Sequence, residues 1–237
     1  MYHSITFGEK NTWDDWHLIP SSRPIFNPPK PKTNYVDIPG ANGHLDLSEV
    51  VSGEVVYEAR TGSLEFIVDN GHKEWHDLYS EIMNYLHGKT MRAVLEDDPT
   101  FYYEGRFSVN QWKSEPHNSK ITIDYTVNPY KLEQNSSLYD WEWDTFNFET
   151  GFIRSYKDLS VNGTLNLTIP GTRMSVTPLF IVSSTDGTGL KVNYQGEEYN
   201  LPDGETRVIN IRICSGDNLL TFTGNGTLSI DYRGGSL

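Results

Sequence analysis

Hydrophobic positions recur along this chain with two different periods. Between residues 69 and 88 they follow a helix. Trp75, Leu78, Tyr79, Ile82 and Leu86 fall on one helical face and predict a helix from about His72 to His87. Asp69 or Asn70 can cap its start, Glu74 and Asp77 suit its positive end, and Gly88 suits its exit. Elsewhere the period is two. Tyr2–Phe7, Glu54–Glu58, Ser63–Val68, Met91–Leu95, Phe101–Val109 and Lys120–Val127 read as strands, with Glu96-Asp97-Asp98-Pro99 as a turn. In Lys120–Val127, Ile121, Ile123, Tyr125 and Val127 alternate with Thr122, Asp124 and Thr126, the mark of a half-buried strand.

The pattern changes after a polar, aperiodic stretch, Lys131 to Ser137, which predicts two domains, residues 1–133 and 134–237. Beyond it the chain reads as short strands. Tyr139, Trp141 and Trp143 alternate, and Phe146 and Phe148 follow one residue out of register, as across a bulge. Leu165, Leu167 and Ile169 alternate, as do Leu190, Val192 and Tyr194, then Ile209, Ile211 and Ile213, then Leu228, Ile230 and Tyr232. Asn162-Gly163, Asp186-Gly187, Gln195-Gly196, Asp203-Gly204 and Asn225-Gly226 sit between them as expected hairpin turns. The fold class expected is therefore mainly β: a β-rich N-terminal domain with one α-helix, then a β-sandwich of jelly-roll or related type.

The stretch from Trp13 to Pro39 fits neither period. It is rich in proline, which lacks a donor and pushes its predecessor toward extended geometry, so it should run over a surface. A solvated arm would not carry Trp13, Trp16, Leu18, Ile19, Ile25 and Phe26. Long irregular segments of this kind are usually functional or docked. Trp13, Trp16, Ile25 and Phe26 are the candidate contacts to a neighbouring subunit.

Composition narrows the class. With 237 residues, 36% hydrophobic and 13% aromatic, the chain can bury a real core. Its one cysteine, Cys214, excludes an intramolecular disulfide, and nothing beside it suggests an activated thiol. No apolar run approaches membrane-spanning length, and Met1-Tyr2-His3-Ser4 does not read as a secretion signal, so cytoplasmic synthesis is the expectation. The net charge of −13 is spread over both halves and repels a nucleic-acid backbone, so direct nucleic-acid binding is not expected.

Candidate chemistry is sparse. His72 and His76 stand at metal-chelating spacing, but the intervening Glu74 is misplaced for a zinc-protease helix and no third ligand is evident. Glu96-Asp97-Asp98 and Asp14-Asp15 lack a partner carboxylate for glycosidase work. No nucleophile elbow or phosphate-binding glycine loop occurs. Trp141 and Trp143 can stack on sugar rings if exposed, although Glu142 and Asp144 on the alternate face favour an inward, core position. No cofactor and no metal are expected, and the chain does not read as an enzyme.

Three segments also carry a resemblance. They are Phe7-Gly8-Glu9-Lys10-Asn11-Thr12-Trp13-Asp14-Asp15-Trp16-His17-Leu18-Ile19-Pro20, the proline-rich run after Arg23, and Val36-Asp37-Ile38-Pro39-Gly40 with Gly43, Leu45, Asp46 and Leu47. Together they resemble the distal tail protein family of long-tailed bacteriophages, over roughly the first half of the chain. The resemblance implies a tail-tube-like first domain and a galectin-like second one. It further implies a homo-hexameric ring at the tail tip, assembled in the bacterial host cytoplasm, between the tail tube protein and a tail-tip hub protein. DNA would pass through its middle, and receptor-binding proteins are further implied partners. The alternative is a carbohydrate-binding module recognising the host surface. A hydrolase is a third class with no constellation behind it.

Overall fold

The computed structural model describes residues 2–69, 75–113, 119–139 and 156–237. The chain forms two compact units, residues 1–131 with Leu237, and residues 132–236. Each has its own hydrophobic core. It is mainly β with one helix among the described residues, and its larger sheets are antiparallel and curled.

The first unit runs β1 (Ile5–Phe7), β2 (Lys10–Asn11), β3 (Leu18–Pro20), β4 (Tyr35–Asp37), β5 (His44–Asp46), β6 (Arg60–Val68), α1 (Trp75–Leu86), β7 (Lys89–Leu95), β8 (Asp98–Lys113) and β9 (Lys120–Val127). The main path of its sheet runs through seven strands in the order β2-β1-β7-β8-β9-β6-β3. The alternation expected of β9 is what is seen: Ile121, Ile123, Tyr125 and Val127 are buried and the residues between them are not. Beside them on the neighbouring strand β6 are Leu64, Phe66 and Val68, and α1 adds Leu78, Ile82 and Leu86 to the same core. The helix therefore buries the face its spacing predicted. Gly88 leaves it at φ 73°, a left-handed exit that suits glycine. Of the turn expected at Glu96-Asp97-Asp98-Pro99, Glu96-Asp97 joins β7 to β8, while Asp98 and Pro99 already belong to β8, Asp98 pairing with Leu95.

The second unit runs β10 (Lys131–Glu133), β11 (Leu159–Gly171), β12 (Leu179–Ser184), β13 (Leu190–Tyr194), β14 (Glu197–Leu201), β15 (Gly204–Arg207), β16 (Gly216–Asp231) and β17 (Gly235–Ser236). β16 organises it. β11 covers one edge of β16 from Gly216 to Leu228. The other edge is shared, by β13 over Leu220–Thr223 and by β12 over Gly226–Asp231. The sheet forks at that point, and its two leaves carry Val192 and Tyr194 on one side and Phe180 and Val182 on the other into a common core.

Three expectations are corrected. Glu54–Glu58 forms no strand: its one ladder contact is an isolated bridge from Tyr57 to Pro31, and Val55 and Val56 are exposed. Ile209–Ile213 is a loop instead of a strand. Ile209 is exposed while Ile211 and Ile213 are buried, and the loop is tied by the Val176–Ile213 bridge and by Asn218, whose Nδ2 donates to the Cys214 carbonyl at 2.8 Å. Its alternation comes from a loop dipping onto the core.

The third correction concerns Asn162-Gly163 and Asn225-Gly226, which are not turns. They face each other in the β11–β16 ladder, where Asn162 pairs with Asn225 and Gly163 with Gly224. Gly163 has φ 75° and its amide donates to Asn225 Oδ1 at 3.0 Å, so the pair kinks two long strands where the sheet forks. By contrast, Gln195-Gly196 is the hairpin turn expected, with φ of 52° and 88° joining β13 to β14.

Candidate assembly surface

The proline-rich segment is a strap laid on the first unit. Trp16 is 1% exposed, its Nε1 donates to Glu81 at 3.1 Å, and its ring meets Tyr85 edge-on. Ser21 N donates to the Glu65 carbonyl. Phe26 is 3% exposed and sits against Tyr103 and Tyr125, with ring centroids at 4.1 and 4.7 Å. The Tyr125 hydroxyl accepts from Asn27 N at 2.8 Å. Buried Arg60 fastens the same point: Nη1 donates to the Asn27 carbonyl at 3.1 Å and Nε to that of Pro129 at 2.7 Å. Burial pulls the guanidinium pKa down, against the opposing influence of Tyr103 and Tyr125.

The four interface candidates therefore fall in different places. Trp16 and Phe26 lie inside the core of their own chain. Trp13 is half-buried and stacks on Tyr2 at 3.8 Å. Ile25 is 68% exposed, beside a cleft of about 240 Å³ that is also lined by Pro20, Pro24, Leu64 and Phe66.

Beyond the strap the chain leaves the sheet as a two-stranded arm. Its base is the Pro31–Tyr57 bridge, flanked by bonds from Lys32 N to the Val56 carbonyl and from Glu58 N to that of Lys30, both 2.8 Å. Further out β4 pairs with β5, Tyr35 with Asp46, Val36 with Leu45 and Asp37 with His44. Every residue of both strands is exposed. Gly40 and Gly43, at φ 82° and 77°, turn the tip.

Much of this exposed surface is apolar. Tyr35, Val36, Ile38, Leu45, Val50, Val51, Val55 and Val56 are all open, Val51 completely. Val36 and Leu45 are cross-strand partners and share one face. A lone two-stranded ribbon is marginal in water, and a contiguous exposed apolar surface marks an interaction site. The segment expected to dock ends at Pro39 and so leaves out β5 and the rest of the arm. The signal available was Tyr35-Val36 and Leu45 flanking Pro39-Gly40 and Asn42-Gly43, which has the form of a hairpin.

Most of the acidic motif residues hold main-chain or basic partners. Glu96 Oε2 accepts from Ser4 N, and Asp98 from Lys131 Nζ at 2.6 Å. Asp97 accepts from Arg23 Nε at 2.7 Å and meets His3 Nδ1 at 2.9 Å. The hydrogen bond from Arg23 first, then that from His3, hold its pKa below the usual carboxylate value. Asp15 receives Lys10 Nζ and Asn11 N, both at 2.8 Å, whereas Asp14 is exposed. His76 is exposed on α1, while His72, Trp141 and Trp143 lie outside the described residues. Cys214 is exposed and free. Among the described residues no group of three His, Cys, Asp or Glu is placed to hold a metal, and no helix is long and apolar enough to cross a membrane.

The two-unit, mainly β architecture of this chain is similar to the fold of a phage distal tail protein. One solved structure that carries this likeness is the Dit protein of phage SPP1, described as a paradigm of the hub adsorption apparatus in phages infecting Gram-positive bacteria. The match has a TM-score of 0.66 at 13% identity and covers 99% of each chain. It agrees with the resemblance read in the first half of the sequence. No protein-family model matches the chain, and no curated protein matches it.

Proposed function

We propose that this chain is a distal tail protein, a structural and non-catalytic component of a phage tail tip. Six copies close head to tail into a ring between the tail tube protein and the hub protein, and the assembled ring offers a platform for receptor-binding proteins. The first unit builds the ring and the second faces outward from it. Assembly takes place in the host cytoplasm, and the finished location is the virion.

The observation that carries this reading is the arm. Its apolar side chains find no cover within the first unit, and a contact between two different patches on identical subunits generates a ring where the rotation closes. Ile25, exposed at the cleft, is the candidate of the strap that remains free to join such a contact. The likeness to a distal tail protein over the whole chain supports the ring over a simple dimer. Electron-microscope images of the purified protein test it: annular particles are expected, and a uniform field of single globules would contradict it.

A further inference from the structure

The chain contains four Asn-Gly dipeptides, at residues 42, 70, 162 and 225, and three of them are described. Asn-Gly is the dipeptide in which the following backbone nitrogen most readily attacks the Asn side-chain carbonyl carbon, because glycine carries no side chain to hinder the approach. Two of the three are locked. Asn162 Nδ2 donates to Ser160 Oγ, and the Gly163 amide is held by Asn225 Oδ1 at 3.0 Å. Gly226 lies in β16 with β11 on one side and β12 on the other. The ladder fixes their backbone, and the cyclic intermediate cannot form without opening it.

Asn42-Gly43 differs in its backbone setting. Asn162 and Asn225 are exposed too, and Gly163 has a similar φ, but Asn42-Gly43 lies at the arm tip and neither residue belongs to β4 or β5. Gly43 has φ 77° with no atom within 4 Å of where a Cβ would stand. No hydrogen bond restrains the Asn42 side chain or the Gly43 amide.

We infer that Asn42 is a site of spontaneous deamidation in the unassembled protein. The Gly43 nitrogen loses its proton to base and bonds to Cγ of Asn42. The Cγ–Nδ2 bond breaks, and the side-chain nitrogen takes a proton from water and leaves as ammonia. Water then opens the cyclic imide. Attack at Cγ gives aspartate. Attack at the backbone carbonyl gives isoaspartate, whose main chain runs through Cβ and Cγ and is one carbon longer. Either product adds a negative charge to the arm tip, five residues from Asp37 and four from Asp46 in a turn whose length sets the pairing register. The site itself rests on the tip lying outside any ladder, with no hydrogen bond on the Asn42 side chain or the Gly43 amide. Its consequence for assembly rests on the proposed ring, in which the arm is covered.

The test is ageing of the full-length protein at mildly alkaline pH and body temperature, followed by peptide mapping. The peptide with Asn42 should gain the mass of an NH2-to-OH exchange and yield an isoaspartate-containing form, while those with Asn162 and Asn225 stay unchanged. An unmodified Asn42, or faster change at Asn162 or Asn225, would overturn the assignment. An Asn42→Gln variant, aged in parallel, should not change at this position; change there equal to the parent's would also overturn it. Aged protein that is modified yet assembles like fresh protein would count against the arm-mediated ring and leave the modification site standing.

Discussion

Arg60 donates to the main-chain carbonyl of Asn27 from a side chain that is 4% exposed, and so ties strand β6 to the proline-rich strap. The same guanidinium reaches the Pro129 carbonyl and lies 5.5 Å from the Tyr103 ring centre. A hydrogen bond from a charged donor is worth about 1.5–3 kcal/mol. Arg60→Met should therefore lower unfolding stability by about 3 kcal/mol, read from the urea midpoint. Arg60→Lys should recover only part of this, since an ammonium cannot serve both carbonyls in fork geometry. A midpoint unchanged in both variants would remove Arg60 from its role as the strap's fastening.

The Asp97 clamp gives a pH dependence with a defined sign. Its folded pKa is depressed by Arg23 first and His3 second, so its contribution is present above the unfolded carboxylate value of about 3.9 and is lost as pH falls through the lower folded value. Asp97→Asn should thus melt earlier than the parent at neutral pH, and the gap should close below about pH 4. A gap that stays constant through that range would mean the carboxylate charge is irrelevant.

Gly105 tests the sheet. A Cβ there would stand 2.2 Å from the Thr126 carbonyl oxygen and 2.4 Å from Val127 Cα, both backbone atoms of the adjacent strand. Neither can move without parting β8 from β9, so Gly105→Ala should cost about 3 kcal/mol or more. Gly196→Ala, in a turn with open space around it, should cost about 1–2 kcal/mol, the left-handed backbone alone. Thermal unfolding of both variants checks the order, and a reversed order would refute the packing described here.

Much of this fold was legible because burial and period coincide in α1, β9 and β13, where each core residue sits at its expected spacing. The failures share a physical cause: a local pattern answered to a distant partner. Ile211 and Ile213 alternate because a loop held by Asn218 dips onto a core. Asn162-Gly163 and Asn225-Gly226 have turn chemistry, yet each serves as the kink that accommodates the other. In the strap, Trp16 and Phe26 carried the right message, that the segment is docked, but sequence could not say on what; both are docked on their own chain. Val50 and Val51 drew no notice because they follow no period, and their exposure emerges only once the arm is seen to leave the sheet.

The two cores share no residue, which makes the division of labour testable. Residues 1–131 expressed alone should fold cooperatively and keep the oligomeric state of the full chain. A folded but monomeric fragment would show that the second unit takes part in closure.

The central claim is that the arm closes the ring, and solution mass tests it most directly. Light scattering during size exclusion should give a discrete six-copy species for the parent chain at high concentration. The double variant Val36→Asp, Leu45→Asp places charge on the shared apolar face while leaving the sheet core untouched. It should elute as a monomer with an unchanged circular dichroism spectrum and melting temperature. A parent that stays monomeric at every concentration, or a variant that still forms the six-copy species, would contradict the account.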